Sequence, residues 1–485
     1  MNRTLLALVA LSPLVAGCVT ATVPAPVATP PVAYEAPKPN ADGLAPAALD
    51  QWWTLYGDAE LNTLVTQALA NAPDARTALA VLDQAAAVRR ETLDKTYIPT
   101  STFSGTATET DTQVLASTTI DGFSFTPGGT TTNLTGTFSV GWELDLFGRR
   151  AAAARTANAD FYTAAFTYEA TRTSLAANVA QQLFQARGLA IQLADAQETA
   201  RIDKELLRIA QAKFDTGLGA GGDLDQTAAN AQAADAQAES LRAQLVAAKR
   251  ALLVLIGKGF DPTASLDAAA NVGVIPPVPA TLPGDLLRRR PDVRAAEWRI
   301  RSAMGTLKTD ELALLPTLNI NPGVTLTDST GPFGATSAAW SIAGNVTAPV
   351  LDRPRLIAEI HAQRAVAVQD VIAYEQAVQT AYGDTETAFT YLDSDQRRVA
   401  MLTTAEARAA SAYEKNRTGY AQGFNDLQTA LTAETTWRSI RSQLTGAQIT
   451  AMERSVQVFK ALGGGWSPAA PAAGTPYAAT AARGG

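Results

Sequence analysis

From Leu134 to Leu146 the even positions are Leu134, Gly136, Phe138, Val140, Trp142, Leu144 and Leu146, and the odd positions between them are Thr, Ser, Gly, Glu and Asp. Such a period of two predicts a strand with one apolar and one polar face. Leu318, Ile320, Val324 and Leu326 repeat the pattern, as do Trp340, Ile342, Val346 and Val350, and a weaker partner, Phe103-Gly105-Ala107, precedes the first strand. Four strands of roughly ten residues follow, a length that crosses a bilayer when tilted. Strands of a soluble sandwich also alternate, but here the polar face is Thr, Ser, Asn and Gly, which suits a wetted lumen. Single-chain membrane barrels begin at about eight strands, and an open strand edge in lipid leaves N–H and C=O groups unpaired. Four strands therefore predict completion by other subunits.

The remaining pattern is helical. Between Arg149 and Lys213 there is no proline and Gly188 is the only glycine, so a helix there reaches on the order of 95 Å at 1.5 Å per residue. Leu175, Val179, Leu183, Ala186, Ala190 and Leu193 step by threes and fours, and so do Leu241, Leu245, Ala248, Leu252 and Leu255. In the C-terminal half Val371, Tyr374, Val378 and Ala381 do the same, as do Trp437, Ile440, Leu444, Ala447 and Ala451. These are seams for helix-on-helix packing, with alanine permitting close approach.

The two sides of a proline-rich stretch (Pro276, Pro277, Pro279, Pro283) look alike. Ala72-Pro73-Asp74 answers Arg290-Pro291-Asp292, and Ile98-Pro99-Thr100 answers Leu315-Pro316-Thr317. Thr216-Gly217 with Gln226-Thr227-Ala228 answers Thr418-Gly419 with Gln428-Thr429-Ala430 at one constant offset. Three ordered matches read as an internal repeat.

Composition narrows the chemistry. Of 485 residues 47% are apolar and 18% charged, and 39 Lys+Arg against 46 Asp+Glu give a net charge of −7. That balance excludes a disordered polyanion and a basic nucleic-acid binder. One Cys leaves no internal disulfide framework, and one His, His361, is a poor basis for a zinc site or a catalytic imidazole network. No convergent nucleophile, base or metal set is visible, so no enzyme, cofactor or metal is predicted. Gly217-Leu218-Gly219-Ala220-Gly221-Gly222 matches the dinucleotide fingerprint in letters. It follows a helical segment instead of a buried strand, so it lacks the context phosphate binding requires.

The N-terminus carries Arg3, an apolar stretch from Leu5 to Val15 too short to span a bilayer, and then Val15-Ala16-Gly17-Cys18. These four residues resemble the lipobox of bacterial lipoproteins, which implies lipidation of Cys18 and tethering to a membrane. Pro24, Pro26, Pro30, Pro31, Pro37 and Pro39 then read as an extended spacer.

Several motifs together carry a wider resemblance. Trp52 with Leu61-Asn62-Thr63-Leu64-Val65 is followed by Trp142-Glu143-Leu144-Asp145-Leu146-Phe147-Gly148-Arg149, by Leu286-Leu287-Arg288-Arg289-Arg290-Pro291-Asp292, and by the closing Leu462-Gly463-Gly464-Gly465-Trp466. The chain resembles the outer-membrane efflux lipoproteins of the TolC/OprM/NodT type over nearly its whole mature length. The resemblance implies a mixed α/β membrane protein: a homotrimer with four strands per protomer in one outer-membrane barrel, a long periplasmic α-helical barrel and an equatorial domain. It implies a passive duct that carries small molecules outward, joined by a periplasmic adaptor to an inner-membrane pump of the resistance–nodulation–division type. A type I protein-secretion duct is the alternative, and a structural coiled-coil lipoprotein a more distant one.

On this reading residues 1–17 are a lipoprotein signal peptide and 18–50 the leader. Residues 51–260 form the first repeat, with a β-hairpin at about 100–147 and a helical tip near 217. A linker at 261–283 precedes the second repeat at 284–466, with a hairpin at about 316–351 and a tip near 419, and 467–485 are a disordered tail. Gly217 and Gly419 are expected at the sharp reversals. The resemblance places adaptor docking on Thr216, Gly217 and Leu218 and on Thr418, Gly419 and Tyr420. It also places an aspartate of the pore constriction at Asp223. The family's other gate positions, a tyrosine, an arginine and two aspartates, fall on Asn416, Ala421, Asn425 and Gln428, so Asp225, Arg417 and Asp426 are the remaining candidates for a charged ring or salt bridge. Pro354 stands where the family has glycine, and suits the first turn of a helix.

Overall fold

The computed structural model describes residues 21–36, 46–113, 119–120, 123–124, 129–279, 281–331 and 334–468. Cys18, the signal segment 1–17 and all but the first two residues of the tail lie outside them. The chain divides into two compact units, one built around residues 84–162 and 297–372 and the other around 27–83, 163–296 and the C-terminal part from 373. No helix among the described residues is long and apolar enough to cross a membrane.

The first unit holds one antiparallel sheet. Its strands are β1 (Thr100–Thr112), β4 (Gly129–Leu144), β5 (Thr317–Thr330) and β6 (Ala335–Thr347), hydrogen-bonded in that order; the two-residue strands β2 (Thr119–Ile120) and β3 (Phe123–Ser124) pair with each other between β1 and β4. The register puts Phe103 opposite Phe138, Phe138 opposite Val324 and Val324 opposite Trp340. One apolar row therefore crosses all four strands. The next row on the other face is Ser104, Thr137, Thr325 and Ala339, and Thr102 and Ser139 share a hydroxyl hydrogen bond of 2.8 Å. The apolar row is not covered: Phe103 and Trp340 are each 78% exposed and Ile342 68%. β1 and β6 have no outer neighbour among the described residues.

The corner after β4 explains the Trp142–Arg149 motif. Gly148 takes a left-handed φ of +83° that a side chain would resist, and helix α3 (Arg149–Asp215) starts at once. Asp145 accepts from the amides of Arg150 and Ala151, both at 3.0 Å, which satisfies donors that the first turn leaves open. Arg149 reaches back to Glu143 at 2.6 Å. Strand end and helix start are thus fastened by the motif's own charges.

The second unit is helical. A 3-10 helix (Pro46–Tyr56) precedes α1 (Ala59–Asn71) and α2 (Pro73–Tyr97), whose first residues belong to this unit. After the long α3 come α4 (Gly221–Leu255), the single turn α5 (Leu286–Arg289), α6 (Pro291–Leu312), α7 (Arg353–Ala421) and α8 (Leu427–Ala461), of which α3 up to Tyr162, α6 from Glu297 and α7 up to Ile372 belong to the first unit. At 67 and 69 residues, α3 and α7 are each on the order of 100 Å long. Trp52 is completely enclosed and stacks on Phe459 at 5.5 Å, with Leu49, Leu61, Leu183 and Phe184 around them. Buried charge is paired here. Arg187 bridges Asp58 and, at 2.7 Å, Glu60, while Asp58 also caps α1 through the Leu61 amide at 3.0 Å. Burial alone would raise the Asp58 carboxyl, but Arg187 and that amide outweigh it and hold it below the usual carboxylate range.

Two of the motifs behind the family resemblance meet in this unit. Pro291 opens α6, where its missing N–H costs nothing, and Arg290 pairs with Asp292 at 2.7 Å and Asp384 at 3.0 Å. The chain then closes on Arg289: the Trp466 indole donates to its carbonyl at 2.8 Å. Gly463, at φ +72°, lies so near that a Cβ would fall 2.6 Å from the same oxygen. The triple glycine is a close approach of two backbones.

The leader is not a free spacer. In the first unit the Ala21 amide donates to Glu311 at 3.0 Å, and Arg364 donates to the Thr22 carbonyl at 2.8 Å. In the second, the Val27 amide donates to Glu375 at 2.7 Å, and the amides of Glu35 and Ala36 donate to Glu386 at 2.7 and 2.8 Å. Tyr34 is buried against Tyr382 and Phe389. Between Ala21 and Ala36 the chain forms neither helix nor strand, and it is held by hydrogen bonds near both ends of that stretch.

Candidate functional site

The two helical reversals are the places where chemistry was expected, and both are built as glycine-terminated helix ends. In the first, between α3 and α4, Gly217 has φ +72°, its amide bonds to the Phe214 carbonyl at 2.9 Å, and the Leu218 amide bonds to Lys213 at 2.9 Å. These are the paired bonds of a left-handed helix cap. Leu218 is left 83% exposed at the apex, and Thr216 turns its hydroxyl inward to the Ala212 carbonyl at 3.0 Å.

The second reversal differs from the expectation. Gly419 is inside α7, which continues to Ala421, and the residue with the left-handed φ of +82° is Gly423. The Gly423 amide bonds to Tyr420 at 3.1 Å and the Phe424 amide to Gly419 at 2.8 Å, the same cap displaced by one helical turn. Gly419 serves packing instead: a Cβ there would meet the Asn425 side-chain amide at 2.5 Å. That amide donates to Asn416 at 3.1 Å. A neutral Asn–Asn bond thus occupies two positions where the resemblance anticipated a tyrosine and an aspartate.

The other residues expected at the second tip, Thr418 and Tyr420, are likewise turned into the helices. Thr418 bonds its hydroxyl to the Glu414 carbonyl at 2.9 Å within the helix. Tyr420 is buried beside Ile202, Leu206 and Leu427, with the Lys213 ammonium 3.7 Å from its ring centre. Burial, with Asp223 nearby, raises the Tyr420 hydroxyl above its ordinary value. It braces the hairpins and is not presented at a surface. The exposed apex residue is Phe424, at 81%, which the sequence reading did not single out. Its signal was available: Gly423-Phe424 repeats the glycine–apolar order of Gly217-Leu218.

No group of three or more potential metal ligands occurs among the described residues, and the four constriction candidates have separate local roles. Asp223 sits half-buried in the first turn of α4, where a negative charge suits the helix dipole. Asp225 is exposed. Arg417 pairs with Glu414 at 3.0 Å along its own helix. Asp426 caps α8 by accepting from the Thr429 amide at 2.7 Å, and these Thr429 bonds hold its carboxyl below the usual range.

An exposed apolar sheet, long paired helices and glycine-capped tips define a strand-and-helix protein of the membrane-channel kind. The sequence profile of the outer membrane efflux protein family matches residues 64–258 and 282–464, and the chain belongs to that family. It is similar to the pyoverdine export outer membrane protein OpmQ of Pseudomonas aeruginosa, 25% identical over 436 residues, covering 86% of this chain and 87% of that one. It is likewise similar to the cation efflux system protein CusC of Escherichia coli, 25% identical over 428 residues, with 86% and 88% covered. Among solved structures the outer-membrane channel OprN superposes with a TM-score of 0.80 at 24% identity, covering 92% of this chain and all of that one. The open state of the MtrE channel of Neisseria gonorrhoeae gives 0.77 at 20%, covering 93% and 99%.

Proposed function

We propose that this chain is the outer-membrane duct of a tripartite efflux system, acting as a homotrimer. The observation that carries the reading is the sheet. Its apolar face lies open, its polar face is lined by Thr, Ser and Asn, and its two edge strands lack outer partners among the described residues. In lipid such edges must pair, so three copies joined edge to edge close one barrel of the membrane size class. The long helices of the three copies then form the periplasmic tube. The two matched halves act as a duplicated hairpin pair within each protomer.

The tips are offered to the periplasmic adaptor through Leu218 and Phe424, flanked by Thr216 and Gly217, with Tyr420 and Lys213 holding them in place. Cys18 is the lipid anchor, a reading supported by the docking of the leader from Ala21 onward. The duct is driven by an inner-membrane pump and does no chemistry of its own. Relatives are named for pyoverdine, for cations and for toluene, and this range supports a cargo chosen by the pump, which includes small molecules here.

Reconstitution tests the reading. The protein extracted from membranes should cross-link as a trimer and give stepwise conductance in planar bilayers. A monomer that leaves the bilayer silent would overturn it.

A further inference from the structure

Eleven residues or more from either apex glycine, a second charged node joins α3 to α8. Arg438 on α8 donates through the same Nη2 to Asp203 of α3 at 2.7 Å and to Glu434 of its own helix. Both carboxylates are only 2% exposed in the single chain, so no neighbouring subunit is needed to bury them. Asp203 Oδ2, Arg438 Nε and the Tyr413 hydroxyl have no hydrogen-bond partner there. The node borders a cavity of about 510 Å³ between α3, α4 and α8.

We propose that Asp203 and Glu434 form a proton-binding site shared across Arg438, and that its occupancy sets how tightly α8 is held to α3. The charge count carries the argument. Two buried carboxylates share one guanidinium, so with both ionised the node keeps one uncompensated negative charge out of water. One proton makes it neutral and supplies the missing donor between the acids.

The surroundings do not make up the deficit. On α3, Asp195 is matched by Arg441 at 2.8 Å and Glu198 by Arg201 at 2.7 Å. On α7, Arg417 is paired with Glu414, and Glu406 accepts from the Trp437 indole at 2.9 Å and from Arg441 at 3.5 Å. Tyr413, stacked on Trp437 at 5.2 Å, is neutral. The α4 residues lining the cavity, Asn230 and Gln237 among them, carry no charge. Burial, opposed by Arg438 and reinforced by Asp203, pushes the Glu434 carboxyl up to about 7.

The sign follows from linkage. A carboxyl whose folded pKa is raised stabilises the fold fully below its ordinary value, and the contribution is lost as pH rises toward about 7, with no further loss above. The brace is therefore tight in acid and loosened in mildly alkaline medium. A periplasm that follows the outside pH would transmit that change to the helical hairpins.

The test uses the full-length protein in detergent. Amide exchange in residues 199–215 and 427–441, corrected for its intrinsic pH dependence, should quicken by about tenfold between pH 6 and pH 8. In the same interval the infrared carbonyl band of a protonated carboxyl should disappear. Glu434→Gln should remove both changes, and Asp203→Asn should move the midpoint down by about one unit or more. Wild-type exchange that ignores pH, a band unaffected by Glu434→Gln, or an unmoved midpoint in Asp203→Asn would each overturn the proposal. Should Glu434→Gln fail to fold, the wild-type band and the Asp203→Asn midpoint decide it.

Discussion

Trp340 in the sheet is 78% exposed, while Trp52 in the helical unit is completely enclosed. The contrast extends to their neighbours. Phe103, Ile342 and Val346 lie open along the strands, and Phe459, Leu183 and Leu61 are fully buried. Both sets obey the same hydrophobic preference, so the difference lies in what each is surrounded by. The helical core excludes water with its own side chains, whereas the strands present a surface that only an apolar solvent or another chain can cover.

The contrast can be broken from either side. Phe459→Ala removes the ring stacked on Trp52 and should cost about 3–5 kcal/mol. The expected result is a lower unfolding midpoint in detergent, with the strands unaffected. On the sheet, Trp340→Arg should cost about 2–4 kcal/mol if the residue faces the bilayer midplane. Ser341→Arg, one residue along and on the other face, should be tolerated; equal yields of folded protein in the outer membrane would remove the distinction between the faces. The smallest effect is expected at the tip. Gly423→Ala forces a side chain into the left-handed region at about 1–2 kcal/mol, and Gly419→Ala should disturb only the Asn425–Asn416 bond. A thermal scan showing Gly419→Ala to be the worse of the two would return the reversal to Gly419.

How far the fold was legible depends on whether an element's limits are set by side chains or by backbone. The period-two runs of β4, β5 and β6 could be read because alternation survives whichever solvent covers the greasy face. β1 was seen only through Phe103, Gly105 and Ala107, since its later residues are Thr108, Glu109, Thr110 and Asp111. Those are held in the sheet by pairing with β4 down to Thr112 opposite Gly129, a contact that leaves no mark on composition. The start of α3 at Arg149 was legible from the absence of breakers.

The site was less so. Matching Thr216-Gly217 with Thr418-Gly419 aligned the letters correctly, yet which glycine ends a helix is decided by backbone torsion, and Gly423 ends it. Nor could sequence bring Asp203 to Arg438, because that meeting depends on which helix faces touch. Within those limits the strands, the long helices and the family were visible in the chain.

The bound leader has a consequence for how its sequence is free to drift. Glu311, Glu375 and Glu386 grip main-chain amides at positions 21, 27, 35 and 36, and an amide is the same on every residue save one. The leader is read as a rhythm of permitted and forbidden prolines: Pro24, Pro26, Pro30 and Pro31 stiffen the intervals, and none falls on a gripped position. Apart from the buried Tyr34, the spelling of residues 21–36 can change while their punctuation stays fixed.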